Sequence, residues 1–118
     1  MIKILKPEFT YKDDRGVLLQ LVHDGYKQIN VIISGANCIR GRHYHKNNTE
    51  AFYVISGKLL LRLQKDNVYE EYIFQDGDMF EIQSYIIHEF VFLEETTLIS
   101  MYSNGVESIN GSKDIFQQ

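Results

Sequence analysis

The sequence predicts an all-β fold, either a sandwich or a small barrel, built as a single domain over residues 1–118. Three observations lead to this prediction. The chain is 44% hydrophobic over 118 residues, which suits one domain with its own core. Its eight tyrosines and seven phenylalanines lie among valine, isoleucine and leucine, a composition that favours strands. No stretch has a sustained helical period, and turn signals interrupt the apolar runs at short intervals.

Eight strands follow from the alternation of apolar and polar residues. In chain order we expect them at residues 16–22, 27–34, 50–56, 58–64, 68–74, 78–82, 88–94 and 97–103. The segments between them include the turn sequences DDRG, HDG, SGK, KDN, QDGD and SNG, which are rich in glycine, aspartate and asparagine. Short strands with turns at this spacing are typical of a sandwich or a small barrel.

Several of these strands are apolar on both faces. In the run HEFVFLE, His88, Phe90 and Phe92 share one face, while Val91 and Leu93 occupy the other. A strand with water on one side carries polar residues on that side, so a second layer must cover the outer face. A homodimer is the simplest cover for so short a chain, and we expect one.

Charge and cysteine content exclude several classes of protein. The net charge of −4, without a cluster of lysine and arginine, argues against a nucleic-acid surface. The single cysteine, Cys38, excludes an intramolecular disulfide framework and fits a reducing compartment. No apolar run is long enough to span a bilayer, and the N-terminus lacks the pattern of a signal peptide. We therefore expect a cytoplasmic protein that binds neither nucleic acid nor membrane.

Four residues with metal-ligating side chains stand out. His43 and His45 are two positions apart and project to the same face of an extended chain. Glu50 follows the polar segment KNNT, which forms a loop before the next strand, and His88 begins a later strand. Three imidazoles and a carboxylate suit Zn, Fe, Mn, Ni or Cu, and they leave coordination positions open for a substrate. The alternative is a polar cavity without metal.

These residues resemble the two cupin motifs. The pattern H-x-H-x-x-x-x-E-x-x-x-x-x-x-G, from His43 through Glu50 to Gly57, looks like the first motif. Residues 77–88 resemble the second motif, keeping its final histidine but carrying Gln83 and Tyr85 in place of its proline and second glycine. The resemblance spans the chain from residue 13 onward. It implies a cupin double-stranded β-helix, or jelly-roll, barrel.

Finer likenesses point within the cupins to enzymes of nucleotide-linked 4-keto sugars. The stretches DDRG, KQINVIIS and RGRHYH are similar to segments of dTDP-4-dehydrorhamnose 3,5-epimerases, and RGRHYHK is similar to dTDP-sugar 3,4-ketoisomerases. The pattern HYH…EAFYVISGK, followed by ISMYSNGVES, resembles the metal-holding cupin domain of capsule-synthesis reductase/epimerases. All three groups serve the synthesis of surface polysaccharide. The resemblance therefore implies a nucleotide sugar as substrate.

The resemblance also implies roles for substrate-binding residues. Arg15 would contact the phosphates, because a guanidinium stays charged and binds phosphate oxygens in two places. Gln28 and Asn30, on one strand face, would bind sugar hydroxyls or the nucleotide. Arg40 would stabilise the enolate or bind substrate.

His43 would be the base that removes a proton next to the ketone, because an imidazole titrates near neutral pH. Tyr44 or a metal would then stabilise the enolate oxygen. The metal-free epimerases usually have glutamine where this chain has His45, and the ketoisomerases usually have glutamine in place of Glu50. Keeping both residues together with His88 favours a divalent metal such as Zn, Ni, Fe or Mn, unless these groups act as acids and bases themselves.

Our leading hypothesis is an epimerase or isomerase of a 4-keto-6-deoxy sugar nucleotide that works by proton abstraction beside the ketone. Two alternatives use the same residues. One is a metal-dependent cupin of another class, such as a small dioxygenase. The other is a non-catalytic cupin that binds a small ligand, which the incomplete second motif favours.

Overall fold

The computed structural model describes residues 1–117 as twelve β-strands joined by turns and loops. The strands are β1 (Ile2–Leu5), β2 (Phe9–Asp13), β3 (Gly16–Gln20), β4 (Gln28–Ser34), β5 (Ile39–Tyr44), β6 (Glu50–Ser56), β7 (Lys58–Lys65), β8 (Val68–Gln75), β9 (Met79–Ile82), β10 (Ile87–Phe92), β11 (Thr96–Tyr102) and β12 (Phe116–Gln117). Within this range no helix is long and apolar enough to cross a membrane.

Ten of the strands form two five-stranded antiparallel sheets that face each other. The first sheet has the strand order β1-β9-β6-β11-β4, and the second has the order β12-β5-β10-β7-β8. Strands that are distant in sequence lie side by side in both sheets, as in a jelly-roll barrel. The predicted all-β, single-domain cupin barrel is therefore confirmed.

The core between the two sheets is aromatic. Phe52, Phe80 and Phe74 stack in series, with ring centroids 5.1 Å and 4.1 Å apart, and Phe90 packs against Phe52 at 5.0 Å. Such pairs add to the hydrophobic stabilisation that the burial of large rings provides. This packing fills one part of the barrel and leaves the polar residues of β5, β6 and β10 around a cavity beside it.

The eight predicted strands correspond to β3, β4 and β6–β11. The alternation of apolar and polar residues did not predict four strands of the structure: β1, β2, β5 and β12. Strand β5, IRGRHY, has no apolar alternation because its inward positions carry charged and polar side chains. Strand β12 has two residues and exists only through its pairing with β5.

Strands β2 and β3 form a hairpin outside both sheets. Its apolar side chains are exposed, including Phe9, Tyr11, Val17 and Leu18. A two-stranded hairpin that packs on nothing is marginally stable in water.

Candidate functional site

A β-bulge in β5 sets the face on which the site is built. His43 pairs with His88 of the neighbouring strand, and Arg40 pairs with Phe90, so Arg42 is an extra residue between the two pairs. Gly41 and Arg42 both have positive φ angles, of 102° and 64°. Without the extra residue, positions three apart would face opposite sides of the sheet. The bulge therefore turns both Arg40 and His43 toward the interior of the barrel.

Only glycine fits at position 41. A Cβ atom built there would lie 2.8 Å from the main-chain carbonyl oxygen of His88, closer than real contacts allow. The pair Arg40–Gly41 that precedes the histidines in the sequence thus has a structural reason: the bulge needs the glycine to bring β5 close to β10.

The four metal-ligating side chains predicted from the sequence converge inside the barrel. The ring centroid of His43 lies 5.3 Å from that of His45 and 4.6 Å from that of His88. Each of the three rings offers one nitrogen as a ligand, and these three atoms all lie within 4.8 Å of one another. Glu50 Oε1 lies 3.1 Å from His45 Nε2 and 3.6 Å from His88 Nε2. His45, Glu50 and His88 are buried, while His43 is half-buried at the cavity wall.

Main-chain carbonyl groups orient two of the three rings. His45 Nδ1 donates to the carbonyl oxygen of Asp114 at 2.6 Å, and His88 Nδ1 donates to that of Ile86 at 3.0 Å. Each ring therefore directs its Nε2 atom toward Glu50. Among the described residues, the Nε2 atom of His88 is the buried side-chain polar atom that lacks a hydrogen-bond partner.

This donor set fits a divalent metal. Metal-binding histidines usually donate their second ring nitrogen to a carbonyl or carboxylate, which fixes the tautomer, as His45 and His88 do here. The Nε2 lone pair of a neutral His45 would face the negative Glu50 Oε1, an arrangement that a proton or a cation between them makes favourable. The unpartnered Nε2 of His88 points to the same place.

Burial and hydrogen bonding separate the protonation states of these groups. Burial, together with the charge of His45, lowers the pKa of His43, and burial lowers the pKa of His88 to about 4. Burial also disfavours a charged His45, but its hydrogen bonds with Glu50 and the Asp114 carbonyl outweigh this and raise its pKa. Burial opposes ionisation of Glu50 as well, yet the hydrogen bond from His45 and the charge of His88 leave its pKa lowered.

Glu50 is held from its other side by a serine. Ser100 Oγ on β11 donates to Glu50 Oε2 at 2.6 Å. The two carboxylate oxygens therefore have different partners, the histidines at Oε1 and the hydroxyl at Oε2. This arrangement keeps an ionised carboxylate inside the barrel with its charge compensated.

The C-terminal segment closes over the loop that joins His45 to Glu50. The Asp114 carboxylate accepts hydrogen bonds of 2.8 Å from the main-chain N–H groups of Lys46 and Asn47 and from the Asn48 side-chain amide. Its main-chain carbonyl accepts the bond from His45. Asp114 thus fixes both the loop and the ring that the loop follows.

Three of the four residues, His43, Glu50 and His88, line a cavity of about 290 Å³. Its walls combine the polar groups with apolar side chains; besides His43, Glu50 and His88, they include Arg40, Ile32, Phe52, Phe90, Phe92, Leu98 and Tyr102. Arg40 Nε donates to Ser34 Oγ at 2.6 Å, which holds the guanidinium at the cavity. A polar end opposite an apolar wall is typical of a site for an organic substrate.

Gln28 and Asn30 lie on the inward face of β4 together with Ile32, as alternation requires. The Gln28 side chain, however, already accepts a hydrogen bond of 2.8 Å from the Val106 main chain. Asn30 is half-buried beside the cavity-lining Ile32. Their contact with substrate stays a prediction.

Two other predicted site residues lie outside this cavity. Arg15 is at the tip of the β2–β3 hairpin, where its side chain is 81% exposed and pairs with Asp13 at 2.6 Å. Tyr44 points to the outer face of β5 and stacks on Tyr85, with ring centroids 6.4 Å apart. Within one chain, neither residue is brought next to His43, and their catalytic or substrate roles stay predictions.

Sequence reasoning missed three residues that support the site: Ser100, Tyr102 and Asp114. Tyr102 lines the cavity, and burial and the charge of Glu50 raise its pKa, so its hydroxyl stays protonated. Ser100 and Tyr102 lie on the inward side of an otherwise apolar strand, a local sign that could have been used. Asp114 carried no such sign, because it lies in a polar, irregular tail.

The fold and the cavity define the chain as a cupin barrel with a histidine–glutamate site in its interior. The sequence model of the polysaccharide biosynthesis C-terminal domain matches residues 11–108, and the chain belongs to that family. A search of curated proteins gives no match.

Solved structures share the fold at low sequence identity. A TDP-quinovose 3,4-ketoisomerase from Campylobacter jejuni is 22% identical to this chain and superimposes with a TM-score of 0.82. The match covers 99% of this chain and 92% of the ketoisomerase. A dTDP-4-dehydrorhamnose 3,5-epimerase from Sulfolobus tokodaii is 21% identical with a TM-score of 0.77, covering 93% and 74%. A mutant 3,4-ketoisomerase from Thermoanaerobacterium thermosaccharolyticum, solved with TDP-4-keto-6-deoxyglucose, is 16% identical with a TM-score of 0.80, covering 99% and 87%.

Proposed function

We propose that this protein epimerises or isomerises a 4-keto-6-deoxy sugar nucleotide by abstracting a proton from a carbon next to the ketone. The observation that carries the proposal is a half-buried His43 at the wall of a cavity, beside an anchored Arg40. The ketoisomerases and epimerases of the same fold act on TDP-linked sugars, which supports this class of substrate.

His43 is suited to be the base. Its lowered pKa keeps the ring neutral at neutral pH, so a nitrogen lone pair is available to take a proton. When the C–H bond breaks, its electron pair forms a double bond to the carbonyl carbon, and the π electrons of the C=O bond move to the ketone oxygen, which becomes the enolate oxygen. Return of a proton to the other face of the same carbon gives the epimer. If the carbon that lost its proton carries a hydroxyl, the O–H proton can pass to the former ketone oxygen. Return of a proton to the former carbonyl carbon then leaves a hydroxyl there and a ketone on the neighbouring carbon.

The enolate oxygen needs a positive partner, which Arg40 provides from the cavity wall. A divalent metal bound by His45, Glu50 and His88 would supply further stabilisation as a Lewis acid. This assignment leaves His43 free for proton transfer, since a histidine that coordinates a metal has no lone pair for the proton.

Solvent exchange tests the reaction. The protein is incubated with dTDP-4-keto-6-deoxyglucose in deuterated water, and the sugar is followed by NMR. Deuterium at C3 or C5 with the ketone still at C4 identifies an epimerase, whereas deuterium at C4 with a ketone at C3 identifies a ketoisomerase. A sugar that binds but takes up no deuterium would refute the proposal and favour a non-catalytic module.

The matched variants are His43→Asn, which keeps the size and removes the base, and His23→Asn, which alters an exposed histidine of the loop after β3. We expect exchange to be lost by a factor of at least about 100 in the first variant and kept in the second. Equal exchange in the two variants would remove His43 from the mechanism.

Elemental analysis of the purified protein tests the metal. We expect one equivalent of a divalent metal in the wild type and a loss of metal in His45→Ala and His88→Ala. His43→Asn should retain the metal under the division of roles above. Exchange that continues unchanged in metal-free protein would show that the three buried groups act without one, and metal-dependent oxygen uptake would favour an oxygenase instead.

We infer further that two copies form a homodimer through β4 and the β2–β3 hairpin. Strand β4 is at an edge of its sheet, and its outward residues Ile29, Val31 and Ile33 are between 62% and 65% exposed. An apolar edge strand left in water promotes pairing with another chain. The hairpin has the same property and no core of its own, so a second copy of the chain would bury both.

Sedimentation of wild type, Ile33→Lys and Ile73→Lys tests the dimer. Ile73 is 58% exposed on β8, in the other sheet, and serves as the control for a surface lysine. We expect a dimer in the wild type and in Ile73→Lys, and a weakened dimer in Ile33→Lys. A monomeric wild type, or a dimer broken only by Ile73→Lys, would contradict the inference.

A further inference from the structure

A second concave site lies on the outer face of the barrel, away from the histidines. It is a groove of about 580 Å³, and we call it the tyrosine groove after Tyr44 and Tyr85, which form one side. Gln64 and Ile87, paired across β7 and β10, lie in it, and Asp66 lies at its rim. Ile87 and His88 are consecutive in β10 and face opposite sides, so the tyrosine groove and the cavity lie on the two faces of one sheet.

Tyr85 has an unfavourable backbone conformation. Its φ angle is 66°, in the left-handed region that bulky residues rarely adopt, whereas glycine adopts it without strain. The resembled cupin motif has glycine at this position. The ring of Tyr85 is also 56% exposed, so burial in the core does not explain it. Backbone strain of this kind often occurs at residues that hold a ligand.

The ring of Tyr85 completes an aromatic surface. Tyr85 and Tyr44 stack with centroids 6.4 Å apart and ring planes 25° apart, and Tyr44 stacks on Phe116 at 5.5 Å. Lys46 Nζ lies 4.2 Å from the centre of the Phe116 ring and covers that end. At the other end, the exposed Tyr85 remains open to a flat apolar group.

The polar groups of the tyrosine groove are neutral overall. Lys65 and Asp66 are adjacent and opposite in charge, and the other polar groups are uncharged: the amides of Gln64 and Gln117 and the hydroxyls of Ser84, Tyr44 and Tyr85. A phosphate would need an excess of positive charge. Amide, hydroxyl and carboxylate groups beside an aromatic face match a pyranose ring, which has an apolar face of C–H groups and a rim of hydroxyls.

We propose that the tyrosine groove binds a neutral pyranose unit of a glycan, with the apolar face of the sugar on Tyr85 and its hydroxyls toward Gln64 and Asp66. This site is separate from the His43 cavity. It gives the domain a second carbohydrate contact, whether or not the proposed isomerase reaction takes place.

The proposal is tested by recording amide chemical shifts of the protein by NMR while one of two sugars, cellotetraose or methyl β-D-glucopyranoside, is added up to tens of millimolar. We expect saturable shifts at residues of the tyrosine groove, with no corresponding shifts at the His43 cavity. No saturable shift with either probe, or shifts confined to the His43 cavity, would overturn it. Stronger shifts at the groove with dTDP than with the sugars would also overturn it, in favour of a nucleotide site.

The variant Tyr85→Gly separates an effect on binding from an effect on folding. The control is Tyr11→Ala, which removes another exposed tyrosine; Tyr11 lies on the β2–β3 hairpin and is 52% exposed. Glycine relieves the left-handed strain, so Tyr85→Gly should unfold at an unchanged or higher temperature while its affinity for cellotetraose falls by about tenfold. Tyr11→Ala should bind as the wild type does. Wild-type affinity in Tyr85→Gly, or an equal loss in Tyr11→Ala, would refute the proposal.

Discussion

Replacing Asp114 with alanine removes a buried carboxylate that fixes the loop after His45. The carboxylate accepts three hydrogen bonds of 2.8 Å, from the main chain of Lys46 and Asn47 and from the side chain of Asn48. The substitution keeps the Asp114 carbonyl, which accepts the bond from His45, but releases the segment that positions it. We expect both the stability of the fold and the orientation of the His45 ring to change.

The expected loss in the free energy of unfolding is about 2–4 kcal/mol. A hydrogen bond to a charged group contributes about 1.5–3 kcal/mol, but the three bonds share one acceptor and do not add. The N–H groups of Lys46 and Asn47 are near the surface and regain water, and the Asn48 amide keeps its second bond, to the Gly105 carbonyl, at 2.9 Å. The total therefore stays below the roughly 5–15 kcal/mol that hold a domain of this size, and the variant folds.

Urea unfolding and imidazole nitrogen NMR measure the two effects. Asp114→Ala should unfold at lower urea with an unchanged slope, and the His45 Nδ1 signal should lose the signature of a donating N–H. Asp114→Asn keeps an acceptor without the charge and should lose about half as much stability. The exposed Asp24, changed to alanine, controls for loss of an acidic residue and should change stability by less than about 0.5 kcal/mol. If Asp114→Ala unfolds like Asp24→Ala, or if the His45 signal is unaltered, the positioning role is refuted.

Three further predictions concern the interior of the barrel. Gly41→Ala forces a side chain into a backbone with φ of 102° and places its Cβ 2.8 Å from the His88 carbonyl; it should cost about 2–4 kcal/mol and abolish the exchange that depends on His43. Ser100→Ala removes the donor to Glu50 Oε2 and so weakens the compensation of a buried carboxylate, which should cost about 1–3 kcal/mol in urea unfolding. In metal-free buffer, the free energy of unfolding should fall as the pH is lowered from 6.5 to about 4. The reason is that His88 takes up a proton at its ordinary pKa of 6.5 in the unfolded chain, but only at about 4 in the folded protein. The free energy of unfolding should fall by about 1.4 kcal/mol per pH unit, or about 3 kcal/mol in total.

Each of these has a control. Gly77→Ala also places a side chain at a positive φ, of 86°, but in open space, so it separates backbone strain from the clash at position 41. Equal losses at the two glycines would remove the clash from the explanation. Ser112→Ala alters a serine of the exposed tail and should be nearly neutral, in contrast to Ser100→Ala. His88→Gln should flatten the acid slope. His45, with its raised pKa, adds no slope in this range, because its stabilising effect is fully present below pH 6.5 and is lost only as the pH rises above that value. An unchanged slope in His88→Gln would contradict the assignment.

Local sequence predicted most of the strands because alternation and turn residues act over a few positions. It failed where tertiary contacts replace local preference. Strand β5 carries Arg40, His43 and a glycine, none of which favours a strand, and it is held by its neighbour β10. Arg40 and His43 are three positions apart, a spacing that simple alternation places on opposite faces, and only the extra residue of the bulge brings them to the same side.

The sequence by itself determined the all-β class, the cupin motifs and the group of His43, His45, Glu50 and His88, because residue type and short spacing are sufficient for these. The tertiary structure alone decided which nitrogen of each ring faces Glu50, because that depends on carbonyl groups as far along the chain as Asp114. It also decided that Tyr44, adjacent to two site histidines, faces the opposite side of the sheet and joins Tyr85 in another groove. Such pairings join residues whose separation in the chain carries no local signal.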